Sequence, residues 1–168
     1  IMQKKLIDVK QITDNPFSLI GKDWMLVTSG PADAYNTMTA SWGGVGILWN
    51  KPVATIYIRP QRYTYEFLEK NDRFTLSFFT EQYRDALKFC GSKSGRDYDK
   101  AKETGLTPVG EEDITYFDEA RLVLVCKKLY FDDIKPAHFY TPELEANYPN
   151  KDYHRLYIAE IQKVLASE

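Results

Sequence analysis

The segment at residues 53–58 constrains the fold most strongly, because its side chains are almost all apolar or β-branched. Such a continuous run is typical of a β-strand that is buried on both faces. Arg59 and Pro60 follow it, and the proline ends the strand because it has no backbone N–H to donate to a ladder. The chain is therefore expected to build a sheet with covered faces.

Further segments also have strand patterns. Phe74, Leu76 and Phe78 alternate with Thr75 and Ser77, and this period of two indicates a half-buried strand. Continuous apolar or β-rich runs predict the remaining strands at residues 24–28, 38–42, 122–126 and 156–164.

Short helices are predicted between these strands. Thr64 is placed as the N-cap of a helix over residues 65–70, and Thr80 as the cap of a helix that ends at Gly91. A third helix is expected around Lys100, stopping at Gly105. These helices do not alternate regularly with the strands, so the sequence predicts a mainly β protein, either a small barrel or an α+β sheet.

The longest predicted loop comprises residues 132–153, which contain three prolines and many aromatic residues. Thr141 and Pro142 could open a single helical turn, because proline suits the first helical position. A loop of this length is usually functional or lies at an interface. Residues 1–168 are otherwise expected to form one domain.

Composition and charge exclude several classes of protein. The net charge is -2, from 22 basic and 24 acidic residues, and no basic block marks a nucleic-acid partner. Residues 1–6 lack the apolar run of a signal peptide, and no segment approaches the roughly 20 apolar residues of a membrane span. Cys90 and Cys126 are far apart and form no CxxC pair, so a secreted disulfide framework is not expected and a cytoplasmic location is the default. Both thiols are predicted to be buried core residues.

Two glycine-containing motifs fail as nucleotide sites. Residues 44–49 begin like a dinucleotide fingerprint, but Trp49 stands where the third glycine should be. Residues 91–96 are one residue short of a phosphate loop and carry Arg96 where lysine is required. No Cys/His cluster has zinc spacing, so no metal site is predicted. If the protein is an enzyme, a cofactor is expected to supply its chemistry.

Three polar clusters lie at the ends of predicted strands, at residues 36–42, 59–64 and 92–100. Hydroxyl and guanidinium groups are the donors that phosphate oxygens need, and small residues let backbone amides approach a planar ligand. A solvated turn explains any single cluster, but three of similar chemistry favour a site for a flat, phosphorylated cofactor. The candidate binding residues are Asn36, Met38, Thr39, Ala40, Ser41, Trp42, Arg59, Arg62, Tyr63, Thr64, Ser92, Lys93, Ser94, Gly95, Arg96 and Lys100.

The order of these motifs resembles the flavin reductase-like family, which includes flavoredoxin-type proteins. The resemblance covers about residues 20–164 and departs mildly at Ala159, where the family usually has glycine. The motifs that carry it are, in order, residues 36–42, Pro52, residues 59–64, Phe74, Ser94-Gly95-Arg96-Asp97, Asp99-Lys100 and residues 152–161.

The resemblance implies an FMN-binding, Greek-key split β-barrel, usually a homodimer with the flavin near the subunit interface. Residues 36–42 would line the isoalloxazine ring, and their backbone amides would bond its N5 and carbonyl edge. Residues 59–64 and 94–100 would serve the ribityl chain and phosphate. FMN is the expected ligand and FAD the less expected one. Lys93, Arg96 and Lys100 are candidates for the cation that stabilises a reduced flavin.

His154 and Asp152 are the candidate catalytic residues, placed beside the flavin or a nicotinamide; a structural histidine at a strand start is the alternative. Trp42 either stacks on the ring or packs in the protein, whereas core or dimer packing is preferred for Trp49. An aromatic group forms a lid, a partner contact or a loop packed on its own barrel: Tyr130, Phe131, Phe139, Tyr140 and Tyr148.

Three functions remain open on the sequence. The first is an oxidoreductase that takes hydride from NAD(P)H and passes the electrons to free flavin, ferric iron or another acceptor. The second is a flavoredoxin-type electron-transfer protein that has protein partners and no nicotinamide site. The third is a non-catalytic FMN-binding protein.

Overall fold

A computed structural model of the chain describes residues 3–168. Residues 1 and 2, which belong to the segment where no signal peptide is predicted, lie outside the described residues. Over the described range, no helix combines the length and the apolar character needed to cross a membrane.

β-Strands form the framework of this part of the chain. They are β1 (Lys4–Ile7), β2 (Met25–Ser29), β3 (Asn36–Ala40), β4 (Gly43–Leu48), β5 (Lys51–Ile58), β6 (Arg73–Phe78), β7 (Pro108–Glu111), β8 (Ile114–Phe117), β9 (Leu122–Asp133) and β10 (Arg155–Ser167).

Short helices connect the strands. The α-helices are α1 (Pro16–Gly21), α2 (Tyr63–Lys70), α3 (Arg84–Ser92) and α4 (Lys100–Thr104). Single turns of 3-10 helix lie at Val9–Gln11, Glu81–Tyr83, Pro136–His138 and Pro142–Asn147. The helical turn predicted at Pro142 is therefore confirmed, as is the helix at Lys100, which ends at Gly105 with a left-handed φ of 77°.

The strands form one large antiparallel sheet in the order β3-β2-β6-β9-β10-β5-β4, with β1 added along β10. β7 and β8 form a separate two-stranded hairpin. The predicted central strand is confirmed as β5, and it lies between β4 and β10 with Ile56 opposite both Gly43 and Tyr157. The predicted mainly β architecture with short helices is confirmed.

Apolar side chains fill both faces of this sheet. One core contains Phe74, Leu76 and Tyr157, and the other contains Val123 and Leu87 of α3. Neighbouring strand residues point to opposite faces, so the continuous apolar runs of β2 and β9 supply both cores, whereas the alternating strand β6 supplies the first core alone. Cys90 and Cys126 are buried free thiols, as predicted. The long apolar strands therefore hold the polar loops at their ends in fixed positions.

Two predicted caps are wrong. α2 begins one residue before Thr64 and has Arg62 as its N-cap, while the Thr64 hydroxyl accepts a hydrogen bond from Asn36 Nδ2 at 2.8 Å. Thr80 precedes a 3-10 turn without a side-chain capping bond, and α3 continues through Gly91 to end at Ser92. At Thr64 a tertiary hydrogen bond with Asn36 therefore engages the hydroxyl that was predicted to cap the helix.

The β4–β5 hairpin corrects the preference for Trp49 in the core. Gly43, Gly44 and Gly46 lie within strand β4. The turn is formed by Trp49 and Asn50, whose φ values of 54° and 59° match a tight two-residue hairpin. Trp49 is therefore 53% exposed at the hairpin tip, and core packing of this side chain is excluded.

Candidate functional site

A pocket of about 190 Å³ lies beside β3 and the end of β5. β3 is at one end of the sheet order and pairs with β2 alone among the described strands, so the other edge of its backbone is not used in the ladder. We call this the edge pocket, and it is lined by Met38, Thr39, Ala40, Ser41, Trp42, Tyr57, Arg59, Arg62 and His154.

A second pocket of about 140 Å³ lies where α2 begins and α3 ends. α2 has no side-chain cap, so N–H groups of its first turn are free to bind an anion. We call this the cationic pocket, and it is lined by Asn36, Gln61, Arg62, Tyr63, Thr64, Gly91, Ser92, Lys93, Ser94, Arg96 and Lys100.

Arg62 lines both pockets and joins them into one site. Its guanidinium donates to the carbonyl oxygen of Gly91 at 3.3 Å, and it forms no ion pair with a carboxylate of residues 3–168. Burial, with a further contribution from Arg59, lowers the pKa of Arg62. Both effects disfavour the charged form, and a bound anion would relieve them.

Lys100 is a second cation at the cationic pocket, but its ammonium group is already engaged. Lys100 Nζ donates to the carbonyl oxygens of Thr37 at 2.7 Å and Cys90 at 2.9 Å. Burial lowers the pKa of Lys100 to about 8; Cys90 opposes this shift and Arg62 adds to it. Lys100 thus ties β3 to α3, and it borders the pocket with at most one N–H left to donate.

The other predicted cations are paired or exposed. Arg96 binds the Glu66 carboxylate at 2.6 Å, with both side chains about half exposed. Arg59 binds Asp152 at 3.1 Å, and Lys93 is exposed with its ammonium 5.9 Å from the centre of the Tyr98 ring. Among the arginines that line the two pockets, Arg62 therefore differs in lacking a carboxylate partner in residues 3–168.

Several predicted donors are used inside the protein. The Thr39 hydroxyl donates to the carbonyl oxygen of Leu87 at 2.5 Å, which anchors β3 to α3. Ser94 Oγ accepts the Arg96 backbone N–H at 3.1 Å and so closes its own turn. Gly95 lines neither pocket; a Cβ there would lie 2.0 Å from Asn36 Oδ1. The turn at residues 94–97 is therefore packed directly against β3.

His154 is buried at the edge pocket, at the point where the chain enters β10. Its Nδ1 lies 2.7 Å from the Tyr148 hydroxyl, and its ring centre is 5.3 Å from that of Trp42. Burial, helped by Arg59 and opposed by Asp152, lowers the pKa of His154 to about 4. The imidazole is therefore neutral at pH 7, so it is suited to hydrogen bonding and not to holding an anion.

The two candidate catalytic residues, Asp152 and His154, belong to separate pairs. Asp152 binds Arg59 and accepts a hydrogen bond from Gln61 Nε2 at 2.5 Å, while His154 bonds to Tyr148. Sequence reasoning named Tyr148 only as a lid, partner-contact or packing residue, because five residues of irregular chain separate it from His154. It missed Tyr57. The alternation of side chains along β5 is the one signal that could have placed Tyr57 on the face of the site.

Comparison with known proteins identifies the family. The family model described as the flavin reductase like domain matches residues 17–168. This chain belongs to the flavin reductase-like family. No significant match was found among curated protein sequences. No group of three or more His, Cys, Asp or Glu residues suited to a metal ion occurs in residues 3–168.

Solved structures with the same fold include other flavin reductase-like proteins. An FMN-binding domain of a flavin reductases-like enzyme from Shewanella baltica OS155 is 19% identical, with a TM-score of 0.68 over 99% of this chain and 78% of that chain. Flavoredoxin of Desulfovibrio vulgaris (Miyazaki F) is 24% identical, with a TM-score of 0.68 over 96% and 76%. An FMN-binding protein from Thermus thermophilus is 20% identical, with a TM-score of 0.64 over 94% and 79%. The predicted split-barrel fold is thereby confirmed.

Proposed function

We propose that this flavin reductase-like protein binds FMN and works as an oxidoreductase, taking hydride from NAD(P)H and passing the electrons to free flavin, ferric iron or another acceptor. The observation that carries the proposal is Arg62, an unpaired cation shared by the edge pocket and the cationic pocket. An anionic group attached to a flat ring would satisfy both pockets at once. Bound FMN would supply the redox chemistry, which no side chain of the site supplies.

Each part of the site has a distinct role in this proposal. The free backbone edge of β3 and the small side chains of Ala40 and Ser41 hold the flavin ring. Arg62 and the first turn of α2 hold the phosphate, with Lys93, Ser94 and Arg96 at the rim. The cationic pocket, at about 140 Å³, suits a single phosphate better than the diphosphate and adenosine of FAD.

His154 and Trp42 form the wall of the edge pocket that faces the substrate side. A buried neutral imidazole and an indole exclude water and position a flat substrate, and orientation of this kind is the main contribution that a protein adds to a cofactor reaction. His154 is the proposed catalytic residue on this account. Asp152 is proposed to act through Arg59, as a positioning residue.

A flavoredoxin-type electron-transfer protein is the second candidate function. It is favoured by the fold shared with flavoredoxins from Desulfovibrio vulgaris (Miyazaki F) and Methanosarcina acetivorans. The proposal of a reductase is favoured by the fold shared with the styrene monooxygenase flavin reductase from Pseudomonas putida S12. A non-catalytic FMN-binding protein is the third candidate.

Anaerobic titration separates the three candidates. Purified protein reconstituted with FMN should be yellow, and NADH or NADPH should bleach the flavin absorbance in stopped flow. Reduction by a reduced ferredoxin and by neither nicotinamide would support the electron-transfer protein. Stable binding without reduction by any of these donors would support the non-catalytic protein. Failure to bind added FMN would contradict all three.

A homodimer with the flavin near the interface is also part of this proposal. β4 ends the sheet order, and its hairpin exposes Ile47 at 75% and Trp49 at 53%, with the Trp49 ring in edge contact with exposed Tyr130. Exposed apolar clusters of this kind mark interaction surfaces. Sedimentation velocity should show a dimer for the native chain and a monomer for Ile47→Asp; a native monomer at micromolar concentration would contradict it. We propose further that residues 1–168 work as one cytoplasmic FMN-binding domain.

A further inference from the structure

A cavity of about 600 Å³ adjoins the edge pocket, and Arg62 does not line it. We call it the apolar chamber. α1 forms one wall with Phe17 and Ile20, and β4 forms another with Val45. Ile134 and Tyr148, from the segment after β9, close a third side. The chamber is therefore built from three parts of the chain that are far apart in sequence.

The apolar chamber is continuous with the edge pocket, because the two share Ser41, Trp42, Tyr57 and His154 as lining residues. A molecule in the chamber would therefore lie against whatever ring occupies the edge pocket. This continuity makes the chamber a second compartment of the same site and not a separate surface hollow.

No Lys, Arg, Asp or Glu is among the described residues that line the chamber. Arg59, the nearest cation of the edge pocket, is held by Asp152 and does not line it. An ion entering the chamber would lose hydration and find no opposite charge, which is strongly unfavourable. An apolar molecule would gain by the same transfer, since it leaves water for apolar walls.

Polar groups of the chamber are few and lie together at the shared boundary. The Tyr148 hydroxyl and the His154 ring form one hydrogen-bonded pair, with Tyr57 and Ser41 nearby in the same wall. One carbonyl or hydroxyl group on a ligand could hydrogen-bond there while the rest of the ligand contacts α1 and β4. Pockets for neutral small molecules commonly combine apolar walls with a few such polar groups.

We propose that the apolar chamber binds an uncharged, planar and largely apolar molecule, with its single polar edge at Tyr148 and His154. The role of this ligand as an electron acceptor or donor rests on the proposed function. The ability of the chamber to bind it does not depend on the flavin. A ferric ion or a phosphate group does not match the chamber, so among the acceptors of the proposed function the chamber itself fits the neutral ring of an organic molecule.

A matched pair of probes tests the chamber directly. Calorimetric titration of the full chain with 2-naphthol and with 2-naphthalenesulfonate, first without and then with FMN, compares a neutral ring with an anionic ring of the same shape. We expect 2-naphthol to bind at least tenfold more tightly in both states. Equal affinities, or tighter binding of the sulfonate, would overturn the proposal.

Two chamber variants and one control locate the binding. Phe17 is 86% exposed at the rim and Val45 is 39% exposed, so Phe17→Asp and Val45→Asp are compatible with folding, which a thermal melt verifies. Each should weaken 2-naphthol binding at least fivefold, whereas Phe131→Asp, at an exposed position outside the chamber, should not. Unchanged binding in both chamber variants would overturn the proposal.

The FMN arm separates this inference from the proposed function. If the chain binds 2-naphthol selectively but does not bind FMN, the proposed function fails and the chamber assignment stands. If it binds FMN but does not prefer 2-naphthol, the chamber assignment alone fails.

Discussion

The cationic pocket and the apolar chamber adjoin the same edge pocket through different lining residues, and they have opposite chemistry. The cationic pocket has Arg62, Lys93, Arg96 and Lys100 in its walls, and the described lining of the chamber has no charged side chain. A ligand with an ionic tail and a neutral ring therefore has one favourable orientation in the site. On the proposed function, this difference would orient the cofactor and leave a separate compartment for a neutral substrate.

A second contrast lies within the cationic pocket itself. Arg62 has no carboxylate partner among the described residues, whereas Arg96 has Glu66 and Lys100 has two carbonyl oxygens. A cation that is already paired gains less from a bound phosphate than one that is not. The contribution of each cation to anion binding should therefore follow its existing partners and not its position in the sequence motif.

Among the cations of the site, Arg62 is expected to show the largest effect on FMN binding when it is replaced. Charge-assisted hydrogen bonds contribute about 1.5–3 kcal/mol, so Arg62→Ala should weaken FMN binding roughly tenfold to hundredfold. Fluorescence titration of FMN measures the affinity. Arg62→Lys keeps the charge but lacks the planar guanidinium group, so its FMN affinity should lie between those of the native chain and Arg62→Ala. Equal affinities for the native chain and Arg62→Ala would remove Arg62 from the binding site.

Gly95→Ala should disturb the contact between the turn at residues 94–97 and β3. The new Cβ would lie 2.0 Å from Asn36 Oδ1, so the turn or the asparagine must move. Overpacking of this kind costs about 1–3 kcal/mol in the free energy of unfolding. Gly21→Ala is the matched control, because nothing lies within 4 Å of its added Cβ. If urea denaturation shows both variants to be equally stable, the close packing of the turn is wrong.

His154 should make the chamber side of the site sensitive to acid. Its folded-state pKa of about 4 is below the ordinary value of 6.5, so the unfolded chain binds the proton first as pH falls from 6.5 to 4. Its contribution to stability is complete above pH 6.5 and is lost over this window. After allowance for residual hydration, the loss is on the order of 1–2 kcal/mol.

Urea denaturation of the native chain and His154→Gln at pH 7 and pH 4.5 measures this contribution. Both proteins share the titration of the carboxylates, but only the native chain has His154 to protonate. The native chain should therefore lose more stability than the variant between pH 7 and pH 4.5. Parallel losses in the two proteins would show that His154 is not held neutral by the fold.

Arg96→Ala should have the smallest effect. The pair with Glu66 is about half exposed, and exposed ion pairs contribute roughly 0.2–1 kcal/mol. FMN affinity should fall less than fivefold, and less than in Arg62→Ala under the same buffer. A larger loss in Arg96→Ala than in Arg62→Ala would reverse the ranking of the two arginines.

Much of the fold could be predicted, because buried strands leave a strong pattern. The apolar runs at residues 53–58 and 122–126 and the alternation in β6 each predicted a strand that the structure contains. The β7–β8 hairpin was missed because its first strand is only Pro108–Glu111, with a proline and a glycine. α1 was also missed, although Asn15 caps it and Pro16 occupies its first turn.

The candidate site could be predicted in its parts but not in its electrostatics. The sequence motifs indicate which cations lie near strand ends. They do not indicate that Glu66 pairs with Arg96 or that Asp152 pairs with Arg59 across 93 positions of sequence. The chamber depends on α1 and Tyr148, which share no motif with the rest of the site. Long-range pairing, and not residue type, decides which arginine is unpaired.

The central claim is that Arg62 holds the phosphate of a flavin whose ring lies in the edge pocket. Affinities of FMN and riboflavin for the native chain and Arg62→Ala test it most directly, because the two ligands differ only in the phosphate. The account predicts that the native chain prefers FMN by at least tenfold and that Arg62→Ala loses most of this preference while retaining riboflavin binding. An unchanged preference in Arg62→Ala would contradict it.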